Sequence, residues 1–318
     1  MKVLITGGLG YLGQCLARKL SGKAAVHIYD NGQYLRNREA SYRRKKDGNV
    51  LDYQTLASRM SQYDVVVHLA AIVGEAAYAV DPTYATDVNV GGTINVLRAA
   101  RTHGIPLFFA STCSVLGRQQ GESTSATRAH EGHLPAYASS KRICENELLA
   151  SGYDKVYIWR FASLFGASPR LRNDLVINRF CEKARGREVL DIHGGGDQIR
   201  PFLHVRDAAN ICAQQILGST VQLPNIAAIG RTDQNASIQE IASLIAARAD
   251  VEVRSVDISL DGDERSYFVQ FDEQYLPPRK PEDTINAGID ELLTSASFWP
   301  DYAWNSNETG LRHNHAIR

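Results

Sequence analysis

The chain has 318 residues, 44% of them hydrophobic, and its 35 basic residues balance 35 acidic ones. Such a length supports a large core, and the charge balance excludes a general attraction to nucleic acid or to an anionic membrane surface. Five widely spaced cysteines with no CxxC pair (Cys15, Cys113, Cys144, Cys181 and Cys212) point to a reducing cytoplasm and away from a disulfide framework or a metal centre.

The opening "MKVLITGG" reads as a strand entering a glycine loop, without the pattern of a signal peptide. The longest apolar stretch, "VVVHLAAIVG", is far too short to span a membrane. Five runs dense in Val, Ile, Leu and aromatics, "KVLIT", "AVHIY", "DVVVHLA", "PLFFAS" and "VYIWR", have the character of parallel strands covered on both faces. Helical stretches separate them, one from Pro82 to Gly104 and one over "AYASSKRICENELLASG", ended by Gly152. This alternation predicts an α/β fold with a Rossmann-type doubly wound parallel sheet over residues 1–165. Beyond it the rhythm loosens into loops rich in Arg, Gly and Pro, with helices expected at 174–185, 207–217 and 237–248. Residues 166–295 are read as a smaller C-terminal substrate-binding lobe, and 296–318 as a loose, unassigned tail.

"TGGLGYLG" spaces Gly7, Gly10 and Gly13 three apart, between the first strand and a helix that includes Tyr11 and Leu12. Glycines there let the backbone approach a dinucleotide pyrophosphate at the helix N-terminus. Asp30, 17 residues after Gly13 and followed by Asn31, ends the second strand. A carboxylate at that point accepts hydrogen bonds from a ribose diol and repels a 2′-phosphate, so NAD is expected over NADP. The basic run at 43–46 is taken as a solvated face. Asp52, read as ending a third strand in "NVLD", is expected to reach the adenine. The small residues of Leu69, Ala70 and Ala71 let a cofactor lie close, while His68 reads as a packed strand residue.

Tyr137 and Lys141 are four apart on a predicted helix and project from one face. A tyrosine must lose about three pKa units to act as a base near neutral pH, worth roughly 4 kcal/mol. A lysine ammonium in a water-poor cleft could supply much of it. The hydroxyl of Thr112 or Ser111, at the end of the fourth apolar run, would share the substrate oxygen with Tyr137.

These residues carry a resemblance. With "TGGLGYLG", "HLAA", "VNVGGT", "STCSVLG", "YASSK", "WRFASLFG" and "RPFLHVRD" in one order, the chain resembles the NAD-dependent nucleotide-sugar epimerase/dehydratase family of extended short-chain dehydrogenase/reductases over roughly residues 1–290. The resemblance implies Tyr137 as catalytic base, Lys141 as its partner and a ribose ligand, and Thr112 as the third catalytic group. It implies Arg200 on the diphosphate of a nucleotide-diphosphate sugar and Arg265 serving the same nucleotide. Asn89 lies near the active-site strands or serves as a buried structural amide, and His204 and Asp207 are structural. Ser163 stands where the family has an asparagine that touches the substrate, and Leu116 where it has an aromatic. A cytoplasmic homodimer is expected.

Dehydrating members resemble "STDEVYG" and decarboxylating ones "STSEVYG", whereas Cys113 and Ser114 occupy these positions here. Removing water needs a carboxylate base and an acid. No His or Lys adjoins Cys113 to lower its pKa, so it reads as buried filler beside Thr112. The expected function is a nucleotide-sugar epimerase acting through a transient keto sugar, at C4. The alternatives are a 4-ketoreductase, an atypical dehydratase using Cys113, and a non-catalytic NAD-binding regulator. The last is opposed by the presence of Thr112, Tyr137 and Lys141 together.

Overall fold

The five apolar runs form parallel strands: β1 (Lys2–Thr6), β2 (Ala25–Tyr29), β3 (Val65–His68), β4 (Leu107–Thr112) and β5 (Val156–Phe161). A sixth, β6 (Ile226–Ile229), completes one sheet in the order β6-β5-β4-β3-β1-β2. The structure is a computed structural model and describes residues 1–34, 48–117, 124–125, 134–218, 224–256, 266–295, 307 and 312. Successive side chains alternate between two cores. Val3, Ile5, Val65, Val67, Phe108 and Trp159 face one, and Leu4, Val66, Leu107, Phe109 and Ile158 face the other. Burial on both faces explains why these strands read as continuous apolar runs.

The helices Tyr11–Leu20 and Val205–Ile216 cover the first face, and Tyr53–Met60, Gly92–His103 and Ala136–Ala150 the second. The chain winds from β1 to β2 on one side and returns to β3 on the other. The crevice at the carboxyl ends of β1 and β3 is therefore the switch point where such sheets bind ligands.

Three differences from the sequence reading bear on the site. No strand forms at "NVLD": the Asp52 N–H bonds Asn49 O at 3.0 Å in a turn leading into the Tyr53–Met60 helix. The helix expected between Pro82 and Gly104 is broken by a wider turn at Asp87–Gly91, with Asn89 inside it. Strand β6 comes from beyond residue 165, so the sheet is not built by residues 1–165 alone. The later part of the chain adds a three-stranded sheet of Asn235–Ser237, Ile199–His204 and Ser163–Phe165, and the helices Val176–Arg185, Ile238–Ala249 and Ile285–Thr294. Among the described residues, no helix is long and apolar enough to cross a membrane.

Candidate active site

A cavity of about 440 Å³ opens at the switch point. Gly7, Gly10, Tyr11, Leu12 and Gly13 form one wall. Gly7 has φ +70°, and a Cβ there would meet Ala70 N at 2.5 Å, so only glycine allows the loop after β3 to press against it. The Tyr11–Leu20 helix starts at Gly10 with no side-chain cap and no acidic residue in its first turn. Its first N–H groups are thus left for a ligand, and with the helix dipole they favour a phosphate. The Tyr11 hydroxyl donates to Gly166 O at 2.5 Å, which ties this loop to the later part of the chain.

Asp30 and Asn31 line the next wall, and Leu69, Ala70 and Ala71 the floor. The Asp30 carboxylate accepts from Leu9 N at 3.1 Å and Gly32 N at 2.7 Å, which fixes it while leaving acceptor capacity for ribose hydroxyls. Asp52 does not belong to this group. It is exposed, it caps the Tyr53–Met60 helix by accepting from Thr55 N at 3.1 Å, and it does not line the cavity. A bare helix start and a fixed carboxylate, joined by one cavity, fit a dinucleotide.

Thr112, Tyr137 and Lys141 line the same cavity. Thr112 ends β4, and its Oγ1 accepts from Ser114 N at 3.1 Å to cap the short turn Cys113–Leu116. That turn sends Cys113 inward. Its Sγ faces Arg160 O at 3.3 Å, burial pushes the thiol up to about 12, and it does not line the cavity. Behind it Arg160 forms a buried pair with Glu145 at 2.7 Å, and Ser111 Oγ donates to Glu145 at 2.5 Å. This network locks β4 and β5 to the helix that carries Tyr137.

That helix is held at its start by Glu75, whose carboxylate accepts from Tyr137 N at 2.9 Å and Ala138 N at 3.3 Å. Asn89 is buried outside the cavity and bonds Ile72 N at 2.7 Å, Ile72 O at 3.1 Å and Ser140 Oγ at 3.1 Å. It joins the cavity floor to the same helix. Lys141 Nζ donates to Ala110 O at 2.8 Å and sits 4.7 Å over the Phe109 ring, and burial holds its ammonium down to about 8. Burial raises the Tyr137 hydroxyl above the usual phenol range, and among neighbouring charges Arg172 opposes this most. The sequence led to Lys141 for that service. In the structure the nearby strand carbonyl takes the ammonium, and Arg172 supplies the opposing charge.

His68 is buried and satisfied on both nitrogens, by Thr6 Oγ1 at 2.7 Å and Thr93 Oγ1 at 3.1 Å, and burial pulls it down to about 3. It is a neutral packing residue. His204 caps the Val205–Ile216 helix and Asp207 pairs with Arg231 at 2.9 Å, both away from the cavity.

Ser163 and Arg200 also line the cavity. The Arg200 guanidinium lies 5.0 Å over the Tyr267 ring, whose hydroxyl meets Ser114 Oγ at 3.2 Å. Arg265, the other arginine expected there, lies outside the described residues, as does the basic run at 43–46. Sequence reasoning missed Glu75, Arg170, Arg172, Tyr267 and Asn307, all of which line the cavity. The loop "GASPRLRND" signalled its arginines only as part of a loose lobe. Asn307, in the stretch read as a loose tail, is buried against Arg170 Nη2 at 2.7 Å and Val73 O at 3.0 Å.

The comparisons agree with this geometry. The model of the NAD dependent epimerase/dehydratase family matches residues 3–226. The chain is 30% identical to a UDP-N-acetyl-alpha-D-glucosaminuronate decarboxylase of Bacillus cytotoxicus, over 98% of this chain and 95% of that one. It is 26% identical to UDP-glucuronic acid decarboxylase 1 of Danio rerio over 79% of this chain, and spans 62% of that relative's length. The crystal structure of UDP-glucose 4-epimerase from Brucella ovis in complex with NAD is 25% identical with a TM-score of 0.74, covering 92% of this chain and 97% of that one. With the family matched across the sheet and cavity just described, the chain belongs to the NAD dependent epimerase/dehydratase family and is an enzyme that uses NAD.

Proposed function

We propose that the protein is a nucleotide-sugar 4-epimerase that works through a transient keto sugar. The observation that carries this reading is the sharing of one cavity by Thr112, Tyr137 and Lys141 with the glycine loop and Asp30. The only carboxylates lining it among the described residues, Asp30 and Glu75, both accept backbone N–H groups. With Cys113 turned inward, nothing beside Thr112 among the described residues is equipped to pull a carbon-bound proton.

NAD held by the glycine loop and Asp30 would supply the hydride acceptor and donor for the carbinol carbon. Tyr137 accepts the proton of the sugar hydroxyl as the carbon is oxidised, and returns a proton to the carbonyl oxygen on reduction. The Thr112 hydroxyl, oriented by the Ser114 N–H at its oxygen, donates to the same substrate oxygen. Arg172 favours the phenolate, and Lys141, held on Ala110 O, stands in the same cavity as a ribose ligand. Arg200 holds the diphosphate, and the sugar turns over between the two transfers. No net redox occurs and no second substrate is required.

A second reading is favoured by the relative matched over the whole chain: decarboxylation of a nucleotide-linked uronic acid. Oxidation at C4 makes such a sugar a β-keto acid, which loses carbon dioxide without a further base; the enolate left takes a proton from water at C5, and the hydride and the Tyr137 proton return to the C4 carbonyl. Purified protein incubated with UDP-, GDP-, CDP- and dTDP-linked hexoses and uronic acids, followed by NMR, separates the two. Formation of a C4 epimer supports the proposal. Carbon dioxide release supports the second reading, and loss of water or net consumption of NADH contradicts the epimerase.

A further inference from the structure

The cavity contains a buried cation that forms no ion pair among the described residues. Arg170 lies with its guanidinium 4.7 Å over the Tyr34 ring and donates through Nη2 to Asn307 Oδ1 at 2.7 Å. Its Nε and the Tyr34 hydroxyl are both closed off from solvent and have no hydrogen-bond partner among the described residues. Both residues line the cavity. The neighbouring Arg172 is neutralised by Asp174 at 2.7 Å, but no carboxylate stands within ion-pair reach of Arg170 among the described residues. An unpaired buried charge is costly, and it persists where a ligand supplies the missing partner.

We propose that Arg170 and Tyr34 form a seat for a diphosphate group, and that the group it takes is the one that joins the two nucleosides of the dinucleotide. Two donors left unpaired in one cavity match the acceptor-only chemistry of phosphate oxygens. The position argues for the dinucleotide over the nucleotide sugar. Tyr34 follows Asp30 by four residues, at the end of the cavity suited to the adenosine ribose. On the other side Arg172 reaches the loop after β3, its Nη2 at 3.5 Å from Val73 O, and acts on Tyr137 at the reacting end. A diphosphate lies midway between these ends in any dinucleotide. Arg200 is instead linked through Tyr267 and Ser114 to Thr112. Burial and the like charge of Arg172 depress Arg170 to about 10, against the opposing pull of Tyr34, Asp174 and Asp30. The glycine loop and Arg170 line the same cavity, so the phosphates would be held from both the early and the late part of the chain.

The test uses the full chain freed of nucleotide, with calorimetric binding of NAD, adenosine and UDP. Arg170→Gln is expected to weaken NAD at least about tenfold, the scale of a charge-assisted hydrogen bond, and to leave adenosine within about twofold. Tyr34→Phe keeps the ring beneath the guanidinium and is expected to weaken NAD about threefold or more. Nucleotide-free Arg170→Gln should melt no lower than wild type, because an unpaired charge has gone, while the rise in Tm on adding NAD shrinks. An unchanged NAD affinity in either variant overturns the proposal. So does a larger loss for UDP than for NAD, which would assign the seat to the substrate's diphosphate. A lowered Tm with an undiminished response to NAD would make Arg170 a packing residue and also overturn it. If Arg170→Gln does not fold, Tyr34→Phe decides alone.

Discussion

Lys141 offers a prediction whose size follows from its surroundings. Its side chain is 3% exposed, and the ammonium has one carbonyl and one ring face for company. Burial therefore lowers its pKa from 10.5 to about 8. A shift of that size corresponds to about 3 kcal/mol. The unfolded chain keeps the higher value, so between about pH 8 and 10.5 it binds more protons than the folded protein, and the Lys141 contribution to stability rises with pH. Below about pH 8 both forms carry the charge and the folded one bears the full cost. Lys141→Met removes the titration. Urea unfolding of nucleotide-free wild type and variant in steps from pH 7 to 10.5 should show the variant's advantage shrinking by about 3 kcal/mol across that window. Other groups titrate in both proteins and cancel in the difference. A pH-independent difference would refute the claim that Lys141 is a desolvated cation. In wild type, kcat/KM for any reaction that needs the ammonium should fall above about pH 8.

If Asp30 reads the ribose diol, NAD should bind at least about tenfold tighter than NADP, or about 1.4 kcal/mol, and equal dissociation constants by calorimetry would overturn that role. Cys113→Ala should cost roughly 1 kcal/mol of stability and keep turnover within about tenfold, whereas Thr112→Val should lose about 10²-fold. The reverse ranking in steady-state assays would move the chemistry to the thiol. Arg200→Ala should raise KM for the nucleotide sugar and weaken inhibition by the free nucleoside diphosphate. Unchanged inhibition would put the substrate diphosphate elsewhere.

The strands that make the centre of the sheet were legible because burial on both faces leaves an unbroken apolar run, as in "KVLIT" and "VYIWR". Strand β6 was not, since "IAAI" carries two alanines where the other strands carry bulk, and its place beside β5 is a long-range pairing. The glycine loop, Asp30, Thr112, Tyr137 and Lys141 were visible because their spacing along the chain is itself the geometry of a strand end or a helix face. Arg170 was not, because what gives it meaning lies far away in the sequence: Tyr34 near the start of the chain, and Asn307 at a separation of 137 residues. Asp52 was misplaced for a local reason. An aspartate before a helix caps it readily, and that competing use decided its position. For Cys113 the sequence favoured buried filler over a dehydratase acid or base, and the turn capped by Thr112 sends the thiol inward.

The central claim is that a hydride leaves C4 of the sugar and returns to the same carbon while Tyr137 handles the proton. Its most direct test is a nucleotide sugar deuterated at C4, turned over in ordinary water and read by NMR and mass spectrometry. The account predicts a C4-inverted product that keeps its deuterium at C4, with no label from solvent on the ring and with turnover lost in Tyr137→Phe. Deuterium lost to water, or a product altered at another carbon with C4 unchanged, would contradict it.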